Sequence, residues 1–189
     1  MKKVKIDSML LAAFLTNIFY SATYPYIHKY IIGSISDNLI VLSQIANCLS
    51  IIIGGMIWNK YSDSLFRHYI AYCICETILG IFSTVFTLVT NNIIAYYIID
   101  TLIFAIVTRN VICGGTKLRA LRYNSEAKRE KFDNDNNSAM ALGVIMGSAI
   151  AIFLELPFPI MLCIATLGNA IDNIFYIRIF CQQQKLKRR

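Results

Sequence analysis

Two carboxylates, Glu76 and Asp100, lie inside stretches of sequence that are otherwise almost wholly apolar. A carboxylate carried into hydrocarbon is costly, and its usual reasons for being there are a partner, a water-filled path or a proton to exchange. Both residues are therefore candidates for accepting a proton in a coupled cycle. Other polar residues recur around them at helical spacing. Asn17, Tyr20, Ser21, Tyr24 and His28 follow an i, i+3, i+4, i+7, i+11 pattern and fall on one stripe. Asn169, Asp172, Asn173 and Tyr176 repeat the theme near the end of the chain, and Glu76, Gly80, Ser83, Thr84 and Thr87 share a side. Such stripes serve either as polar glue between helices or as the lining of a path. On the second reading Asn17, Tyr20, Tyr24, Glu76, Asp100, Asn169 and Asn173 are the substrate or proton pathway. Asp172 either joins them or pairs with Arg178.

The elements that hold these residues follow from composition. The chain has 189 residues, of which 57% are hydrophobic and 15% charged. Soluble domains average about 45–50% apolar and about 25% charged residues, so the bilayer is the solvent that fits. The apolar residues form long runs without strand-like alternation, which selects helices over a barrel. Spans are expected at roughly 8–32, 38–59, 67–90, 92–115, 138–156 and 158–180, each near the ~20 residues that cross hydrocarbon. The expectation is an all-α, integral membrane bundle of six transmembrane helices forming one domain over residues 1–189. It has a loop at 116–137 that is charged, free of proline and able to be partly helical, and a basic tail at 182–189.

Basic residues set the orientation. Lys2, Lys3 and Lys5 precede the first span, Lys60 and Arg67 bound the second connection, and Lys117, Arg119, Arg122, Lys128, Arg129 and Lys131 fill the fourth. The alternate connections hold little more than Lys29. The positive-inside rule then puts both termini in the cytoplasm, N-in/C-in, in a cell membrane. The net charge of +7 is accounted for in this way, and no nucleic-acid partner is implied. The basic start ahead of an apolar run also resembles a signal peptide, but the run is too long, and an uncleaved first helix is expected. The six cysteines suit apolar packing better than a disulfide framework or a zinc site, so no cofactor or metal is expected. Small residues at Gly54-Gly55 and at Gly143-x-x-x-Gly147 mark close helix approach, and Pro25 is expected to kink the first span.

The connection between spans two and three reads Gly55-Met-Ile-Trp-Asn59-Lys-Tyr-Ser-Asp63-Ser-Leu-Phe-Arg67. It resembles the signature at the cytoplasmic end of helix two in the major facilitator superfamily of transporters. Asp63 and Arg67 stand where the family has its Asp and a following Arg, whereas Asn59, Ser64 and Phe66 replace a Gly, an Arg and a second Gly. Arg109 with Gly114 resembles the family's helix-four Arg and Gly, and Lys128-Arg129 precedes a Gly-rich fifth helix as it does there. The resemblance covers the whole chain as the N-terminal six-helix half of the family's fold. It implies a small solute moved by alternating access and gating roles for Asp63, Arg67 and Arg109. It also implies a homodimer or a separate second six-helix half, with Asn17, Tyr20, Tyr24 and Asp100 facing a shared cavity.

Two other functions are compatible with six spans. One is the substrate-binding subunit of an energy-coupling importer. The other is a membrane cysteine peptidase that processes a signal peptide, because the His68 and Cys75 spacing is similar to that of enzymes acting on quorum-sensing peptides. The Gly-Gly that precedes the histidine in that family is replaced here by Phe66-Arg67, and the transporter, not an enzyme, is the expectation. The topology is open to a direct test in intact cells, in a background with the native cysteines replaced. A membrane-impermeant thiol reagent is expected to label Asn92→Cys and to leave Ser125→Cys unlabelled; the reverse pattern would invert the orientation.

Overall fold

A computed structural model describes residues 7–34, 36–99, 103, 105–153 and 156–187; Asp100 and the side chains of residues 28, 43, 95–97, 186 and 187 lie outside the described set. The described residues are almost all helical, without a strand, as expected where backbone groups have no water to pair with. The helices are α1 (Ser8–Ser34), α2 (Asp37–Arg67), α3 (Tyr69–Thr90), α4 (Ile93–Ile98), α5 (Ala105–Arg122), α6 (Glu126–Phe153) and α7 (Phe158–Lys187). Four of them, α2, α3, α6 and α7, are long and apolar enough to cross a membrane. α1 carries the polar stripe, and the expected fourth span is divided between α4 and α5.

Large apolar side chains such as Leu42, Ile52 and Met56 on α2 and Ile78, Phe82 and Val89 on α3 are exposed. A surface of that kind suits lipid better than water. Together with the four apolar helices it points to a membrane protein.

The connections are shorter than expected. α2 runs on through Lys60–Arg67 with one break in helical geometry, at Tyr61 (φ −124°, ψ 20°). A single residue, His68, then joins it to α3, its N–H shared between the carbonyls of Ser64 and Leu65. Most of the loop expected at 116–137 is also helix, leaving residues 123–125 as the turn between α5 and α6. The reason is local: the stretch is rich in Lys, Glu, Arg and Ala, which favour helix, and Glu126 complements the dipole of α6's first turn. α1 passes through Pro25 as one helix. Asn91 takes a left-handed conformation (φ 50°) and ends α3 with a bond from its N–H to the Thr87 carbonyl.

Glycines decide how the helices meet. A Cβ at Gly143 would lie 2.5 Å from the Phe14 carbonyl oxygen and 2.9 Å from Asn17 Cβ, and one at Gly147 would run into the Ile18 carbonyl. α6 therefore packs backbone to backbone against α1 and parallel to it, with Tyr26 donating to the Ala151 carbonyl at 2.7 Å further along. Gly54 of α2 likewise meets Arg109 and Ile106 of α5, and Asp63 meets Lys117 one helix section later, so this pair is also parallel. α7 runs antiparallel to α1, with Gly168 against Phe19 and the rings of Tyr30 and Phe158 stacked at 4.1 Å. It also runs antiparallel to α3, where Thr84 and Thr166 share a 2.6 Å hydrogen bond. α3 and α5 are antiparallel too, Gly114 lying against the Tyr69 ring. One apolar cluster, built on Phe66, Tyr69, Leu118, Phe132, Ile179 and Phe180, fills one end of the bundle. Ile27, Ile31, Met161 and Leu162 fill the other.

Gly147→Leu is expected to destabilise the fold in mild detergent by about 1–3 kcal/mol through overpacking. Gly55→Leu is the control, because nothing lies within 4 Å of its added carbon. Thermal unfolding checks both, and equal midpoints for the two variants would remove the close α1–α6 contact as a stabilising feature.

Candidate functional site

Glu76 on α3 and Asn173 on α7 are only 3% and 1% exposed, and they face one another. The Asn173 amide donates to Glu76 Oε2 at 2.9 Å and to Thr77 Oγ1 at 3.1 Å. Thr77 in turn donates to the Cys73 carbonyl at 3.0 Å. Thr108 of α5 approaches the same carboxylate, yet its buried hydroxyl forms no hydrogen bond of good geometry, and Asn173 Oδ1 has no partner among the described residues. The result is a buried polar layer shared by three helices.

A cavity of about 190 Å³ lies between α1, α5, α6 and α7, lined by none of the residues of that layer. Its polar lining comes from Thr16, Asn17, Arg119, Asn136, Asp172 and Tyr176. The Asp172 carboxylate accepts a hydrogen bond from Thr16 at 3.0 Å, tying α7 to α1. Arg119 pairs with Asp133 of α6 at 3.0 Å. Near the same end, Asp7 caps α1 by accepting the Met9 N–H at 2.8 Å. It also holds Arg122 at 3.0 Å and the Tyr123 hydroxyl at 2.7 Å. Burial, and then the Asp7 carboxylate, push the Tyr123 phenol above its ordinary range, so it stays protonated and keeps donating. Arg129 closes the turn by donating to the Tyr123 carbonyl at 2.7 Å.

The sequence-predicted residues divide under this geometry. Glu76 and Asn173, distant in sequence, are joined directly. Asn169 sits half-buried one turn before Asn173. Asn17 lines the cavity, but its amide donates to the Ala13 carbonyl of its own helix at 2.7 Å. The stripe on α1 splits, for Asn17 and Ser21 turn toward the glycines of α6, whereas Tyr20 and Tyr24 are 54% and 47% exposed with rings stacked at 4.6 Å. Asp100 and the His28 side chain are outside the described residues. Asp172 bonds Thr16, while Arg178 is exposed.

Of the three expected gating residues, Asp63 and Arg67 share the last turns of α2 within electrostatic reach, whereas Arg109 stands apart. Asp63 pairs with Lys117 at 2.7 Å, and Arg67 is exposed. Arg109 lies over Gly54, about two helical turns (~12 Å) from Lys117. Its Nε is buried without a partner among the described residues. His68 and Cys75 are both exposed and about 10 Å apart along the axis, beyond hydrogen-bond reach. Sequence reasoning missed Thr16, Lys117 and the Asp7 clamp. The available signal was an acidic residue directly ahead of an apolar run, the mark of a helix N-cap.

Asn173→Leu is expected to lower stability by about 1–3 kcal/mol, because it strips the donor from a buried carboxyl group. The double variant Glu76→Leu/Asn173→Leu should recover most of that loss, since both ends of the pair are then apolar. Thermal unfolding in detergent of the wild type, Asn173→Leu, Glu76→Leu and the double variant checks this, and additive losses would mean that the two residues do not act as a pair. No known protein family, curated protein or solved structure matches this chain.

Proposed function

We propose that the chain is a half-size transporter of the major facilitator type, a six-span N-in/C-in unit of the cell membrane that pairs with a second copy and moves a small solute by alternating access. The observation that carries this reading is the pattern of helix neighbours. Counting α4 and α5 as one span, the spans number one to six in chain order. Span one packs parallel to span five, and span two packs parallel to span four, each through glycine. Span one packs antiparallel to span six, and span three antiparallel to span four. Span three meets span six. Exchanging the first three spans with the last three returns these five pairs with the same relative directions, and only the smaller contact of span four with span six lacks its counterpart. Two inverted three-helix repeats produce such a set, and inverted three-helix repeats are the units from which each half of a major facilitator is built.

Two further features support the reading. The exposed, stacked Tyr20–Tyr24 face gives α1 a surface on which a second half could close around a solute. The Asp63–Lys117 pair joins α2 to α5 with 90% of the Asp63 side chain exposed. Water screens an ion pair this exposed, so the contact can break and re-form as a gate at little cost. Glu76 is the proton-accepting candidate among the described residues.

In mild detergent the purified protein is expected to have the mass of a dimer once bound detergent is subtracted. In a cysteine-free background Tyr24→Cys should form an inter-subunit crosslink, and Ile78→Cys on α3 should not. A monomeric mass with no crosslink would end the self-paired reading and favour the importer subunit.

A further inference from the structure

The cavity between α1, α5, α6 and α7 begins where the glycine seam ends. At Gly143 and Gly147 the backbones of α6 and α1 touch, but one and two turns earlier the same face of α6 carries Met140 and Asn136, which hold the helices apart. The space that opens, about 190 Å³, is lined by two opposite charges, Asp172 and Arg119, that do not pair with each other. Asp172 stands at the inner end, where Thr16 donates to its Oδ1, and its Oδ2 accepts nothing among the described residues. Asn17 adjoins Thr16, and because its amide nitrogen is bonded to the Ala13 carbonyl, its Oδ1 is left to accept. Arg119 stands at the other end, with its side chain 34% exposed and its guanidinium 5.8 Å from the centre of the Phe132 ring. One of its nitrogens holds Asp133, and the fork keeps further N–H donors for a ligand. Tyr176 lies between the two charges, packed on Gly115 one turn from Arg119, and it feels both of them.

We propose that this cavity binds a small zwitterionic amino acid, with its ammonium group on Asp172 and its carboxylate on Arg119. The lining carries one negative and one positive charge, so a ligand with no net charge and two charged ends leaves neither of them alone. A simple anion would answer Arg119 and repel Asp172, and a simple cation would do the reverse. An ammonium group has several N–H donors, which Asp172 Oδ2 and Asn17 Oδ1 accept together. The guanidinium fork of Arg119 suits a carboxylate, to which the Tyr176 hydroxyl donates as well. Asp133 does not withhold Arg119 from this role, because that pair is partly exposed and screened by water. The spacing agrees: with Tyr176 level with Gly115, Arg119 and Asp172 are about two helical turns (~11 Å) apart at the backbone. The long Arg119 side chain leans back along its helix and shortens that gap to the span of one small molecule. Size restricts the ligand's own side chain, since pockets for drug-sized molecules occupy roughly 300–1,000 Å³; glycine, alanine and serine fit, and aromatic amino acids do not. Neither Tyr20 nor Tyr24 lines the cavity, so the site belongs to a single bundle and stands whether or not two copies pair.

The experiment is thermal unfolding of the purified protein in mild detergent with glycine, L-alanine or L-serine, and with propionate or ethylamine, each of which keeps one of alanine's two charges. At least one of the three amino acids is expected to raise the midpoint in a saturable way, while propionate and ethylamine leave it unchanged. Equilibrium binding of the radioactive form of that amino acid should reach one molecule per chain. Asp172→Asn keeps an oxygen for Thr16 and removes the charge, and it should raise the half-saturating concentration at least about tenfold. Arg119→Gln, at the more exposed end, is the second variant should Asp172→Asn fail to fold, and the same rise is expected. No saturable shift with any of the three amino acids would overturn the site. An equal shift with propionate or ethylamine would do so too, as would a wild-type response in either folded variant.

Discussion

Inside hydrocarbon no water is present to complete a hydrogen bond, and the arrangement of this bundle follows from that condition. Many of the polar side chains carried on the apolar helices are satisfied in one of two ways. Some bond back to their own helix: Thr23 to the Phe19 carbonyl, Thr87 to Ser83, Thr90 to Phe86 and Thr116 to Ile112. Those residues keep their helix self-contained and require nothing from a neighbour. Others reach across: Thr16 to Asp172, Thr84 to Thr166 and Asn173 to Glu76 all involve α7, and Tyr26 bonds the Ala151 carbonyl of α6. α7 is thus the element to which the polar contents of α1 and α3 are tied.

The interfaces differ in kind as a result. The parallel pairs, α1 with α6 and α2 with α5, meet through glycine and backbone, and the polar contacts that cross them lie toward their ends, at Tyr26–Ala151 and Asp63–Lys117. The antiparallel pairs made by α7 are held in the middle by side-chain hydrogen bonds. A glycine-lined contact depends on shape and tolerates small displacements along the axis, whereas a buried hydrogen bond is lost when its geometry shifts by a fraction of an ångström. The bundle therefore contains a fixed seam around α7 and two smoother seams beside it.

Much of this was legible in the residues. Gly143 and Gly147 announced a close approach because two small residues four apart leave one helix face bare, and the structure sets α1 against that face. Glu76 and Asn173 stood out because each interrupts an apolar run. Their union across 97 residues could not be read, since periodicity fixes a face and not the helix that will cover it. The same limit explains α1: its polar stripe is wide enough for Asn17 to turn inward while Tyr20 and Tyr24 turn out. Asp63 was singled out for its place in a motif, but its partner, Lys117, comes from the stretch expected to be loop. The length of α5 and α6 was hidden because span boundaries were drawn where hydropathy falls, while helix formation depends on propensity and continues into charged sequence.

The distance in sequence between α1 and its partners bears on how the protein is made. The Thr16–Asp172 bond joins residues 156 apart, and Asp7 waits for Arg122 at a separation of 115. α1 is synthesised well before the helices that bury it, and until α6 and α7 arrive its polar stripe has no covering neighbour. A chain cut short before Gly143 lacks both the glycine face and the Asp172 carboxylate against which α1 packs, so the order of synthesis and the order of burial run opposite ways for this helix.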